Sequence, residues 1–301
     1  MSFSSEVKRE LCCIDLTKKC CQKAELAGIV AFCGFLDGAD FILRTENKLV
    51  AERIQKLFSV LFGFAPVCRE TSRGAKGRMY TLRLSEKNGL YKVLAQLGLC
   101  RGQMVKFAAD PFLVQEDCCA KSYLRGAFLG GGSVNAPQRS YHLEIETHYF
   151  GLSHDLSSLL SDLAFEVKTV MRKGNYVTYL KDSEKIGDIL GMMGATSSMM
   201  ELYNAKIEKE VKNTVNRRVN CETANITKTA NAAALQIKSI ERLMAKKGSD
   251  SIPERLRELA ELRLEYPEAS LAELGEMLSP PISKSGVNHR MKKLMDMEAM
   301  L

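Results

Sequence analysis

The chain has 301 residues, 46% hydrophobic and 26% charged, with a net charge of +7. That length suggests roughly two or three domains. No apolar run reaches the ~18 residues that a membrane helix needs. Residues 1–6 lack the basic-then-apolar order of a secretion signal. A membrane span is therefore excluded, and a cytoplasmic protein is expected. Ten cysteines in a reducing compartment read mostly as small buried hydrophobes. Cys12, Cys13, Cys20 and Cys21 are a conceivable zinc set, but adjacent cysteines six residues apart do not match C-x₂₋₄-C ligand spacing. No metal and no cofactor is expected.

Basic residues are unevenly distributed. Arg69, Arg73, Lys76, Arg78 and Arg83 form one set, and Lys206, Lys209, Lys212, Arg217, Arg218 and Lys228 a second. Lys284, Arg290, Lys292 and Lys293 form a third with no acid among them, whereas acids slightly outnumber bases between 111 and 200. Separate basic patches on a balanced surface point to a polyanion.

In chain order, an N-terminal helix precedes Leu26-Ala27-Gly28-Ile29-Val30-Ala31-Phe32-Cys33-Gly34, which returns as Leu124-Arg125-Gly126-Ala127-Phe128-Leu129-Gly130-Gly131-Gly132. The shift of 98 positions also places Leu82 on Leu180 and Ser85-Glu86-Lys87 on Ser183-Glu184-Lys185. One offset fitting both ends of a segment indicates duplication. Each copy reads helix, strand, strand, helix, strand, strand, helix. In the second, residues 140–146 alternate as a half-buried strand, 152–164 have helical spacing, and two strands flank the Lys173-Gly174-Asn175 turn. A helix over 186–193 closes it. The first copy carries a longer basic hairpin tip over 73–77.

Both helices resemble the LAGLIDADG motif of homing endonucleases, where small residues let paired helices approach and the second acid binds a catalytic metal. Gly28 with Ala31 and Gly126 with Gly130 suit close packing, and Gly34 and Gly132 suit a left-handed cap. The acid, however, is Cys33 in one copy and Gly131 in the other. Mg²⁺ takes hard oxygen ligands, so paired-metal hydrolysis has no basis. Asp37 and Asp40 lie past the terminal glycine. His142, His148 and His154 lack partners at metal-ligand spacing and read as structural.

Beyond 200 the strand signals stop. Helices are predicted over 202–219 and 223–244, and the polar run 246–251 reads as a flexible linker. Pro253 opens a new helix. Ser270 with Glu273 spells a capping box for a helix over 270–278, which Ser279-Pro280-Pro281 ends. Ser283 caps a helix to Lys293, with Val287, Met291 and Leu294 inward and Ser285, Asn288, His289 and Lys292 outward. This is a helix-turn-helix whose second helix suits base edges and phosphates.

Longer strings carry a closer resemblance. Residues 1–11, 122–135, 141–144, 215–225 and 282–290 are similar to the WhiA family of bacterial DNA-binding regulators, over nearly the whole length. The resemblance implies a degenerate homing-endonuclease domain joined to a C-terminal helix-turn-helix, without nuclease activity. It further implies transcription control in sporulation, or a role in cell division and chromosome segregation.

The expected fold class is α+β, a duplicated αββαββα repeat with pseudo-twofold symmetry followed by an all-α domain. Expected segments are 1–110, the first repeat half with its N-terminal helix; 111–204, the second half; 205–250, a basic helical connector and linker; and 251–301, the helix-turn-helix. No catalytic residue is expected. Double-stranded DNA is the expected partner, contacted by Ser270, Leu271, Ala272, Glu273, Leu274, Ser283, Lys284, Ser285, Gly286, Asn288, His289, Arg290, Lys292 and Lys293, with Arg73, Lys76, Arg78, Arg217 and Arg218 assisting. The alternatives are an active or nicking endonuclease, or a repeat domain that binds a protein partner and leaves DNA to the tail.

Overall fold

The computed structural model describes residues 2–72, 74, 77–85 and 89–300. Its contacts divide the chain into two units, Met1–Lys209 and Glu210–Leu301.

In the first unit, Ser2 caps α1 (Phe3–Cys12) by accepting from the Ser5 amide, and Phe3, Val7 and Leu11 bury one stripe. Two apolar helices form the centre, α2 (Lys19–Cys33) and α5 (Asp117–Gly131). They begin and end at the same 98-residue offset that relates the two motifs. A Cβ on Gly28 would lie 2.8 Å from the Ala127 amide, and one on Gly126 would lie 3.0 Å from the Ile29 amide. The two backbones are thus in contact, and any side chain there would force them apart.

Each central helix is followed by two strands, a helix, two strands and a helix. The first half comprises β1 (Gly34–Asp37), β2 (Asp40–Thr45), α3 (Lys48–Phe62), β3 (Val67–Ser72), β4 (Arg78–Leu84) and α4 (Leu90–Gln96). A short hairpin, β5 (Cys100–Arg101) and β6 (Met104–Val105), leads to α5. The second half comprises β7 (Gly132–Val134), β8 (Leu143–Thr147), α6 (Phe150–Asp162), β9 (Lys168–Arg172), β10 (Asn175–Leu180) and α7 (Ser183–Met193). The antiparallel sheets have matching orders, β1-β2-β4-β3 and β7-β8-β10-β9. This is the expected duplicated αββαββα repeat.

Gly34 and Gly132 correct one expectation. Both are extended, at φ −99° and −86°, not left-handed. The glycine is needed for close approach: a Cβ on Gly34 would lie 2.5 Å from the Phe41 ring, and one on Gly132 would meet the Phe128 ring.

A buried ion cluster joins the halves. Glu25 of α2 is fully buried and accepts from Arg53 Nε at 2.7 Å and from Arg125 Nη1 of α5 at 2.8 Å. Arg125 Nε also donates to the Met193 carbonyl at 2.6 Å, and Arg53 Nη1 to that of Cys12 at 3.3 Å.

The predicted helices over 202–219 and 223–244 are one continuous helix, α8 (Thr196–Lys247). Residues 220–222, Asn-Cys-Glu, contain neither proline nor glycine to interrupt it. The second unit holds the later part of α8, then α9 (Glu254–Glu265), α10 (Leu271–Met277) and α11 (Lys284–Ala299). Pro253 stands one residue before α9, as its N-cap. Ile240 and Leu243 share a core with Ile252, Leu259, Leu274, Val287, Met291 and Leu294. The run 246–251, expected to be a flexible linker, is therefore a tight connection inside this unit, because apolar residues on both sides of it enter one core. The Gly248 amide donates back to Met244 at 3.0 Å.

Candidate nucleic-acid interface

The helix-turn-helix is built by local chemistry. The Ser270 hydroxyl accepts from the Glu273 amide while the Glu273 carboxylate accepts from the Ser270 amide at 2.7 Å, completing the capping box. Gly275 sits where a Cβ would meet the Ile282 carbonyl and lie 3.1 Å from Val287. Its own carbonyl accepts from the Ile282 amide at 2.9 Å, closing the turn. Arg263, fully buried in α9, donates to the Ala269 carbonyl at 2.6 Å and fixes the approach to α10. Ser283 then caps α11 by accepting from the Gly286 amide.

The burial of Val287, Met291 and Leu294 leaves Ser283, Lys284, Ser285, Asn288, His289, Lys292 and Lys293 exposed together. Ala272 and Glu273 are exposed, Ser270, Leu271 and Gly286 half-buried. Two expected contacts are placed differently. Leu274 is fully buried in the core. Arg290 is half-buried, and its Nη1 donates to the Arg255 carbonyl of α9 at 3.4 Å. Lys284 also lines a cleft with Lys228 of α8, which brings together two of the basic sets. Arg217 and Arg218 are exposed on α8, the latter 3.0 Å from Glu222.

In the first unit, strand register assigns the sheet faces. Phe41, Leu43, Leu82 and Leu84 enter the core, so their neighbours in alternation point away from it. Arg44 and Arg69 both oppose Thr81, and Arg83 opposes Ile42 and Val67. Arg44, Arg69 and Arg83 thus share the open face of the first sheet. Arg44 lies over the Phe35 ring at 4.6 Å, and Arg83 pairs with Asp40 at 3.1 Å. Arg44 was missed in the sequence because only strand pairing aligns it with Arg69. Arg78 is exposed and 2.8 Å from Glu70. Arg73 and Lys76 lie outside the described residues.

On the second sheet the same face carries two acids among the exposed Lys168 and Arg172. Leu143, Ile145 and Leu180 enter the core, while Glu144 opposes Tyr179, and Glu146 opposes Val177. Glu144 lies 3.0 Å from His142 and 3.3 Å from Arg172. Burial opposes its ionisation, but the His142 hydrogen bond and the Arg172 charge outweigh it and hold the carboxyl below its usual range. Glu146 accepts from Asn175. His142 is thereby a satisfied structural residue.

The C-terminal ends of α2 and α5 do not fit the catalytic metal of a LAGLIDADG enzyme. Burial pushes the Cys33 thiol up to about 12, so it offers a neutral soft sulfur. A Cβ on Gly131 would meet the Glu146 carbonyl, so the fold leaves no room for a carboxylate there. A cation of the chain itself occupies this region. Lys8 Nζ donates to the Leu129 carbonyl at 3.2 Å, near the negative end of α5, although burial lowers its pKa to about 8.

Comparison with known proteins agrees with this architecture. The WhiA N-terminal LAGLIDADG-like domain matches residues 19–100, the WhiA LAGLIDADG-like domain 120–212, and the WhiA C-terminal HTH domain 215–298. A probable cell division protein WhiA of Alkaliphilus oremlandii is 44% identical, covering 98% of this chain and 96% of its own. That of Clostridium botulinum is 40% identical over the same shares. The crystal structure of full-length DUF199/WhiA from Thermatoga maritima superposes with a TM-score of 0.60 at 26% identity, covering 100% of this chain and 99% of that one. By model, sequence and fold alike, the chain belongs to the WhiA family.

Proposed function

We propose that this protein is a non-catalytic regulator that binds double-stranded DNA, with α11 reading base edges in a major groove. The observation that carries the reading is the exposed face of α11, where Asn288 and His289 stand among Lys284, Lys292 and Lys293 on a helix fixed by its cap and turn. Asparagine suits the adenine edge, and lysine suits guanine or phosphate. The relatives' name, probable cell division protein, supports a role in cell division; transcription control, with effects on sporulation or chromosome segregation, is the mode we infer. A cytoplasmic site on the nucleoid follows from that reading, and no helix among the described residues is long and apolar enough to cross a membrane. The missing carboxylates at Cys33 and Gly131 support binding without cleavage.

Genome-wide mapping of bound DNA tests the proposal. The intact protein should occupy discrete sites, and Asn288→Ala should lose them while remaining folded. Purified protein with Mg²⁺ or Mn²⁺ should leave plasmid carrying those sites uncut. Nicking that disappears in Asp37→Ala would restore the endonuclease alternative.

A second reading has its own support. Glu144 and Glu146 stand among Lys168 and Arg172 on the open face of the second sheet, a mixed-charge surface that suits a protein partner of complementary pattern better than a phosphate backbone.

A further inference from the structure

The first turns of α2 and α5 carry Cys20-Cys21 and Cys118-Cys119. The offset of 98 residues that relates the two halves also maps Cys20 onto Cys118 and Cys21 onto Cys119. In the fold all four Sγ atoms lie within 4.8 Å of one another, and the sulfurs of each adjacent pair are 4.0 Å apart. Among the described residues this is the one cluster of metal-ligating groups of its kind. Cys21 and Cys119 are buried, Cys118 half-buried and Cys20 exposed.

We infer that these four cysteines bind one Zn²⁺ ion, which rivets the N-terminal ends of the two central helices. Four thiolates around zinc at ~2.3 Å form a tetrahedron whose sulfurs are about 3.8 Å apart. The observed spacing reaches that with shifts within ordinary side-chain freedom. A tetrahedron contains twofold axes, so two ligands from each of two pseudo-twofold-related helices satisfy it without breaking the symmetry of the repeat. Both helix N-termini favour negative charge, and Lys18, Lys19 and Lys23 flank the first pair. Together these offset the two negative charges left when zinc meets four thiolates.

Other uses of the four sulfurs fit less well. Adjacent residues have Cα atoms about 3.8 Å apart, below the ~4.4–6.8 Å of ordinary disulfides. An iron–sulfur cluster spreads its four cysteines over two or more irons and would hold sulfurs on different irons farther apart than they are here. The site also differs from the catalytic position of the LAGLIDADG enzymes. Cys33 lies twelve positions beyond Cys21, and Gly131 twelve beyond Cys119, about 18 Å at the usual rise. With all four positions filled by sulfur no open coordination site remains, so the metal is structural.

Elemental analysis of the full chain, purified under reducing conditions from zinc-supplemented cells, should find about one zinc per chain. Titration with a mercurial should release it as about four thiols react. Exchange with Co²⁺ should give the intense visible bands of tetrahedral thiolate coordination. Cys20→Ser combined with Cys118→Ser, which alters the less buried pair, should lose the zinc and lower the thermal midpoint of the first unit. Metal-free protein after that purification would overturn the inference, as would mass spectrometry showing a disulfide between the helices. A red iron–thiolate chromophore in place of zinc would overturn the choice of metal.

Discussion

The two halves of the repeat share a topology and a sheet order, yet their open sheet faces differ in charge balance. The first presents Arg44, Arg69 and Arg83 with Asp40 beside them; the second sets Glu144 and Glu146 among Lys168 and Arg172. Where the helix backbones touch each other the halves have stayed alike, with glycine against backbone at Gly28 and Gly126 and cysteine pairs at matching helix starts. Packing against the partner half constrains those positions at the scale of a single methyl group. The solvent faces are free of that constraint and can be recruited separately, the more basic one towards a polyanion.

The largest expected effect breaks what the halves share. Glu25→Ala would leave Arg53 and Arg125 buried without their counter-charge, and removing one partner of a buried ionic cluster costs about 3–5 kcal/mol. Chemical denaturation should show that loss in the first unit. A loss below about 1 kcal/mol, the range of a surface pair, would mean the cluster does not bind the halves together.

Next in size is the contrast between α11 and the sheets. Asn288→Ala should cost about 1–3 kcal/mol of discrimination between cognate and random DNA. Arg290→Ala should act mainly on stability, since its guanidinium braces α9. Equal losses of specificity from both would place Arg290 on the DNA.

The comparison of sheet faces sharpens with salt. If the first sheet meets phosphates, Arg44→Gln with Arg69→Gln should reduce the salt slope of DNA binding by about two, near one per lost contact. The same change at Lys168 and Arg172 on the second sheet should leave the slope unchanged. A reduction from that pair instead would reverse the assignment.

The smallest effect concerns the helix ends, where Cys33 faces Gly131 across the repeat. Burial pushes Cys12 and Cys33 up to about 12 from 9.0. They stay neutral in the fold and ionise once the chain opens, so the stability they contribute is complete below pH 9 and falls as the pH rises towards 12. Lys8 acts oppositely: lowered from 10.5 to about 8, it adds stability as the pH climbs through that interval. Two thiols against one amine give a net decline above pH 9. Cys12→Ala with Cys33→Ala should make it shallower in denaturation midpoints measured from pH 8 to 11, with half-buried Cys68 and buried Cys100, also pushed up by burial, keeping part of the decline.

Much of this was legible in the sequence. The offset between the motifs foretold the pairing of α2 with α5, and Ser270, Glu273 and Ser283 marked the helix-turn-helix because caps are local chemistry. What stayed hidden depends on distant partners. Arg125 reads as an intruder in an apolar helix until Glu25 arrives from the other half. The cysteine pairs fail a ligand-spacing rule applied along the chain, whereas the repeat offset, applied to them as well, would have matched Cys20 with Cys118. Arg44 aligns with Arg69 only through β4. The extended backbone at Gly34 was misjudged because glycine serves both positive φ and close approach, and only the Phe41 ring shows which is needed.

The most direct test of DNA reading without cleavage is selection of bound sequences from a random duplex pool in Mg²⁺, by the intact chain and by Asn288→Ala with Lys292→Ala. The intact chain should recover one motif in uncut duplexes, and the double variant should retain weak binding with no motif. Recovery of the same motif by the variant, or cleaved duplexes from the intact chain, would contradict the account.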